Sequence, residues 1–239
     1  MARTPPLRVA PATPAAQVAS VTPAARAGEM KRPPAAHLPT VREVAPAEWY
    51  RVHEYDSATG HFDATSFNDS GLGNARFSPL RRADGSVIPT LYAAQAARTA
   101  IAEILFHDAP YPSTGWTFDW SAHDDPTKSR THLSVVATPA LRLASLTTFG
   151  LQAAGLEVQD LLSGNSGVYP VTRQWALWFY ERMPGIQGLY WMSRRDNEHA
   201  CLLLFGDRVT GLQCQSRAHI SAHEFDVLTT LAAMNAGIA

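Results

Sequence analysis

The sequence predicts an α+β domain behind an irregular N-terminal tail. Three observations point there. Short runs rich in Val, Leu, Tyr and Trp, bounded by Pro, Gly or Asp, recur along the last four fifths of the chain. Helix-period stretches are few. No regular alternation of strand and helix or internal repeat is present, so a βαβ layering is not indicated. With 239 residues and 46% apolar composition the chain can bury a substantial core, and one domain plus a tail suits that length.

The tail comes first. Nine of the 17 prolines precede Ala47, in a stretch rich in Ala, Thr and Arg with almost no large apolar residue. Such a segment cannot offset its ordering entropy by burial, so residues 1–45 are expected to be disordered. Pro5, Pro6, Pro11 and Pro14 interrupt every candidate secretory apolar region and would break the amphipathic helix of an organelle transit peptide. A cytoplasmic location is therefore expected.

From Leu91 to His107 the chain has helix formers and no breaker, and Ala94, Ala97, Ile101, Ile104 and Leu105 recur at i, i+3, i+4, i+7 spacing. That stripe should face the core. Tyr92 and Glu103 lie about three turns apart and would share another face with Thr99 between them; if Tyr92 instead ends the preceding strand, the alignment is only approximate. Residues 132–138, 188–193 and 200–205 read as strands. Thr172 can cap a helix carrying Trp175, Ala176, Phe179 and Met183, ended by Pro184-Gly185. Ser221-Ala222-His223-Glu224 reads as a capping box opening a last helix.

Composition narrows the function. Net charge is −1 and no long basic stripe appears, so a nucleic-acid footprint is not supported. No run of apolar residues is long enough for a membrane span. Cys201 and Cys214 are the only cysteines, which indicates neither a disulfide framework nor a zinc site. His219 and His223 are four apart, but a helix starting at Ser221 would not set them on one face, so no metal is expected. Asn165-Ser166-Gly167 fails the glycosylation pattern at its third position. Gly71-Leu72-Gly73 lacks the third Gly and the downstream acid of a dinucleotide fingerprint.

Several separated pieces remain in a fixed order: Tyr50-Arg51-Val52, Ala75-Arg76-Phe77-Ser78-Pro79, Leu91-Tyr92-Ala93-Ala94, Glu103, Tyr169-x-x-Thr172-x-x-Trp175-Ala176 and Gly188-Leu189-Tyr190-Trp191-Met192-Ser193-Arg194. This series resembles the RES-domain family of toxins, named for an Arg, a Glu and a Ser, over roughly Trp49 to Arg208. One departure is Ala75 where members commonly carry Gly; Gly73 and Asn74 upstream can supply the turn. The resemblance implies a RES domain over residues 46–239, with a fold similar to ADP-ribosyltransferases in which two small sheets form a cleft for NAD. It also implies an NAD-consuming toxin and a co-encoded helix-turn-helix antitoxin as partner.

Residue chemistry agrees with an NAD site. Arg51 and Arg76 could hold phosphates, because a guanidinium fork makes paired charge-assisted hydrogen bonds to phosphate oxygens. Tyr92 could face the cationic nicotinamide. Glu103 stands in an apolar helix segment, and its carboxylate could stabilise the electron-poor ribose as nicotinamide leaves. Ser193, at a strand end, is expected to hydrogen-bond the ligand; with no adjacent His base and no nucleophile elbow, it is not expected to attack it. Three outcomes stay open: transfer of ADP-ribose to water or phosphate, transfer to a protein, and binding without turnover.

Overall fold

The computed structural model describes residues 30–239 except 108 and 165. Its centre is an eight-stranded sheet. In chain order the elements are β1 (Val41–Val44), β2 (Ala47–Glu54), β3 (Leu80–Arg81), β4 (Val87–Ile88), β5 (Thr90–Ala94), α1 (Ala97–Ile104) and β6 (Thr117–Phe118). There follow β7 (Thr131–Thr138), β8 (Leu141–Ser145), α2 (Thr148–Ala153), α3 (Val158–Leu162) and α4 (Tyr169–Arg182). The chain ends with β9 (Gly188–Met192), β10 (Ala200–Phe205), β11 (Gln213–His219), α5 (Glu224–Ala233) and β12 (Gly237–Ile238).

The large sheet runs β1-β8-β9-β10-β5-β2-β7-β11, and β3/β4 and β6/β12 form separate pairs. In the large sheet only β8 and β9 run parallel. The expectation of two small sheets meets one sheet with a weak seam. β2 pairs with β7 along its whole length, yet with β5 at a single position, Tyr50↔Ala94. Five strands and three strands thus diverge from one rung, and α1 lies against both β2 and β5.

Core packing follows from sequence pattern. α4 buries Val171, Thr172, Trp175, Ala176, Phe179 and Tyr180, the i, i+4, i+8 side of the helix. Trp175 and Phe179 stack with ring centroids 5.8 Å apart. Full burial of a side chain such as Phe179 stabilises by roughly 1.5–3 kcal/mol. β10 is buried at all six positions, as a central strand covered on both faces should be. Gly188 of β9 lies so close to β10 that an added Cβ would come within 2.0 Å of the Leu203 carbonyl oxygen, which keeps the position glycine.

Several expectations change. The tail does not extend to residue 45: Met30 is buried, the Lys31 carbonyl accepts from Trp175 Nε1 at 2.9 Å, and β1 pairs with β8. Residues 1–29 lie outside the described residues. The helix expected from Leu91 begins at Ala97, because Thr90–Ala94 is drawn into the ladder beside β10. A short apolar run buried on both sides carries no period that separates strand from helix. Ile104, the outer member of the predicted stripe, is exposed.

Thr172 lies inside α4 and not at its cap; Pro170 occupies the first turn, where its missing N–H is harmless. Ser221 does not open α5 either. It falls in a 3-10 turn, Ile220–His223, whose start is capped by the His219 ring accepting from Ser221 N, and α5 begins at Glu224. No helix among the described residues is long and apolar enough to cross a membrane.

Candidate active site

A cavity of about 340 Å³ opens where β2 and β5 part, at the low end of the range for ligand pockets. Arg51 and Val52 of β2, Tyr92 and Ala93 of β5, Arg76, Glu103 and Trp191 are among the residues that line it. Segments far apart in sequence meet here.

Arg51 reaches the cavity from β2. Its Nη1 donates to the carbonyls of Ala64 and Ser66 at 2.6 and 2.8 Å. Burial pushes the guanidinium down to about 10, with Asp63 opposing the shift. Arg76 precedes β3 in a connecting segment, its Nη1 on the carbonyls of Leu161 and Ser163 and its Nη2 on that of Gly164. The guanidinium also sits 5.0 Å over the Tyr169 ring. Burial lowers its pKa, and neighbouring Arg194 adds to this. Both cations are therefore bonded to neutral oxygens, which satisfy donors without cancelling charge.

Tyr92 accepts from Phe77 N through its hydroxyl at 3.0 Å, and its ring meets Trp191 edge-on at 6.1 Å. Burial pushes its phenol up to about 12, so it stays protonated at neutral pH. Glu103 projects from α1, and its Oε1 accepts from Ser193 Oγ at 2.5 Å and from Arg194 N at 3.1 Å. The sequence led us to expect Ser193 against the ligand. The structure commits its hydroxyl elsewhere: Ser193 is 1% exposed, donates to Glu103, and accepts from the backbone N–H groups of Arg195 and Asp196, both at 3.0 Å. Tyr92 and Glu103 both reach the cavity, but from a strand and the helix after it and not from one helix face.

The sequence profile of the RES domain matches residues 48–226, about three quarters of the chain. The chain belongs to the RES-domain family. Among solved structures, a chain of the M. tuberculosis MbcT–MbcA toxin–antitoxin complex superposes with a TM-score of 0.51. The match covers 75% of this chain and 87% of that one, at 20% identity, and speaks to the fold. No curated protein matches the sequence significantly.

Within this RES domain, residues that the sequence did not tie to Arg76 hold the site together. Thr172 Oγ1 donates to the carbonyl of Arg76, and Arg173 bonds Ala75 O at 3.1 Å and the Asn74 side chain. The Tyr169-x-x-Thr172 spacing thus puts a ring and a hydroxyl of α4 against Arg76. Gly73, at φ +106, makes the turn before Ala75, whose own φ is not positive. Gly in place of Ala75 is therefore not required here.

Asp196 ties the turn after β9 to α1. Its carboxylate accepts from Arg98 Nε at 2.8 Å, Thr99 Oγ1 at 2.7 Å and lies 2.9 Å from His199 Nδ1. Burial alone would raise its pKa, but Arg98, Thr99 and His199 overcome that and hold it well below the usual carboxylate range. Asp196, Glu198 and His199 are close enough to hold a cation, yet the Arg98 guanidinium already bonds both carboxylates. His219 and His223 bond separately, to Ser221 and Asp226. Cys201 and Cys214 are both free; Cys201 is a buried wall of the cavity, its thiol pushed up by burial.

The sequence carried one signal for Arg194, its place directly after Ser193. In a polar loop it reads as a solvated charge, and only the fold brings it beside Arg76.

Proposed function

We propose that this RES domain is the toxin of a toxin–antitoxin pair and consumes NAD. In this reading the bond between nicotinamide and ribose breaks, nicotinamide leaves with the bonding electrons, and water or inorganic phosphate takes up the ADP-ribosyl group. The observation that carries the proposal is that Arg51, Arg76 and Glu103 line one cavity, with both arginines bonded to carbonyls and the carboxylate held by Ser193.

The donor set suits the substrate. Arg51 and Arg76, hydrogen-bonded to carbonyl oxygens, would hold the pyrophosphate. Tyr92, fixed by Phe77 and Trp191, would offer an aromatic wall to the nicotinamide. Bound NAD supplies a leaving group that is already cationic. Glu103 would then stabilise positive charge developing on the ribose. Ser193 and Arg194 N would keep that carboxylate oriented, so Ser193 serves Glu103 and not the ligand.

The test is release of free nicotinamide from NAD, with and without phosphate, by wild type and by a Glu103→Ala variant whose fold is checked by circular dichroism. Release by wild type and not by the variant is the expected result, and phosphate dependence would name the acceptor. A folded wild type that releases none would overturn NAD cleavage. Release that occurs only with a protein acceptor present would redirect the reading to ADP-ribosylation.

The proposed partner is a helix-turn-helix antitoxin covering the cleft, and the toxin–antitoxin complex of the structural neighbour supports it. Co-purification from a two-gene expression would test this; a toxin running alone at 26.0 kDa beside its neighbour's product would count against it. Consumption of an intracellular substrate would place the activity in the cytoplasm.

A further inference from the structure

Two guanidiniums converge on one oxygen at a corner of the cleft. Arg76 Nη2 donates to Gly164 O at 3.2 Å, and Arg194 Nη1 donates to the same atom at 2.6 Å. Gly164 has φ +83, and an added Cβ would come within 2.9 Å of Val168, so the direction of that carbonyl depends on glycine. Arg76 spends its other bonds on the carbonyls of Leu161 and Ser163.

Among the described residues neither guanidinium is ion-paired with a carboxylate. Glu103 turns one oxygen to Ser193 and to the backbone of Arg194, not to either side chain. Two like charges gathered on neutral oxygens repel each other, and their joint field favours an anion. The contrast with the whole chain is clear, since that carries a net charge of −1.

We infer that Arg194 and Arg76 together form a subsite for a phosphate-class dianion at the Gly164 corner, with Arg194 as the exposed half of the clamp. This deepens the NAD reading and rests on it only for the origin of the phosphoryl group, which is either the pyrophosphate of the dinucleotide or free inorganic phosphate. The residue also links two parts of the site. Its side chain faces the anion while its backbone N–H holds Glu103, so an occupied clamp is one residue away from the carboxylate.

The experiment is calorimetric titration of the full chain with inorganic pyrophosphate and, separately, with inorganic phosphate. Arg194→Gln removes the guanidinium and keeps the backbone N–H on Glu103. Arg130→Gln removes a guanidinium that pairs with Asp56 outside the cleft lining. The expected result is anion binding by wild type at millimolar concentration or better, weakened about tenfold or more in Arg194→Gln and little changed in Arg130→Gln. Repeating the phosphate titration with ADP-ribose present separates the sources. Loss of phosphate binding means that the dinucleotide's own phosphate occupies the clamp, and retained Arg194-dependent binding means a separate phosphate site.

Equal affinities in wild type and Arg194→Gln, equal weakening in the two variants, or no anion binding by folded wild type would each overturn the inference. Nicotinamide release plays no part in the readout. A wild type that binds pyrophosphate through Arg194 but cleaves no NAD would sink the proposed activity and leave this subsite standing.

Discussion

The fold treats Arg98, on α1, differently from Arg51, Arg76 and Arg194. Arg98 meets acids: Asp196 at 2.8 Å and Glu198 at 2.5 Å. The other three meet carbonyl oxygens from residues 64, 66, 161, 163 and 164. An acid cancels a guanidinium's charge; a carbonyl fills its donors and leaves the charge for something else. Arg98 therefore rivets the turn after β9 onto α1, although it is largely exposed. Under the proposed function, that difference in acceptor separates Arg98, a tie between two elements, from the cavity arginines that would meet an anion.

The largest test of that contrast is the acid left among the free cations. Glu103→Gln should reduce kcat/KM for NAD by about 10²–10³, with an unchanged circular dichroism spectrum. Activity within a few-fold of wild type would mean that the carboxylate only neutralises its surroundings.

Next comes protonation beside Arg51. His53 is buried, its Nδ1 lies 2.7 and 2.8 Å from the carbonyls of Glu54 and Phe62, and its Nε2 lies 2.8 Å from Ser134 Oγ. Nδ1 between two carbonyls must carry the proton, so Nε2 accepts from Ser134. Burial first, and Arg51 second, lower its pKa from 6.5 to about 4, against the pull of the two carbonyls. The unfolded chain therefore binds this proton first as pH falls. The stability contributed is complete above about pH 6.5 and is lost between there and about 4, up to roughly 3 kcal/mol. Urea unfolding across that window should show a steeper loss for wild type than for His53→Gln; parallel curves would remove His53 from the account.

A smaller effect separates the two arginine classes directly. Arg76→Gln should raise KM for NAD by about 10–100-fold. Arg98→Gln should leave KM nearly unchanged and lower Tm. Equal KM shifts in both would erase the distinction. The smallest effect falls on the rivet itself: Asp196→Ala should lower Tm by about 2–4 °C in a thermal melt. No change would remove Asp196 from the account of stability.

What makes this site legible in the sequence is the ordered series of short motifs that resembles the RES family, which singles out Arg51, Arg76, Tyr92 and Glu103; residue by residue, Glu103 alone reads as a solvated helix face. All four line the cavity. β10 is legible to the residue, since an apolar run between His199 and Gly206 leaves little freedom. What failed depended on partners distant in sequence. Thr172 looks like a cap until the Arg76 carbonyl, 96 positions away, arrives at its hydroxyl. Residues 30–45 look too polar to order until β8 offers a free edge and Trp175 a donor. Leu91–Ala94 reads as helix until β10 pairs with it. Arg194 and Asp196 share a polar loop whose composition alone says solvent.

The hydroxyl of Ser193 has one hydrogen to give and two lone pairs to fill, and Glu103, Arg195 N and Asp196 N take all three. Saturated and shut off from solvent, it offers no electrons to an electrophile. Fluorophosphonate reagents, which label activated serines across hydrolases, should pass this protein by, and under the proposed function an anion that competes for the arginines suits its cleft better than a warhead aimed at serine.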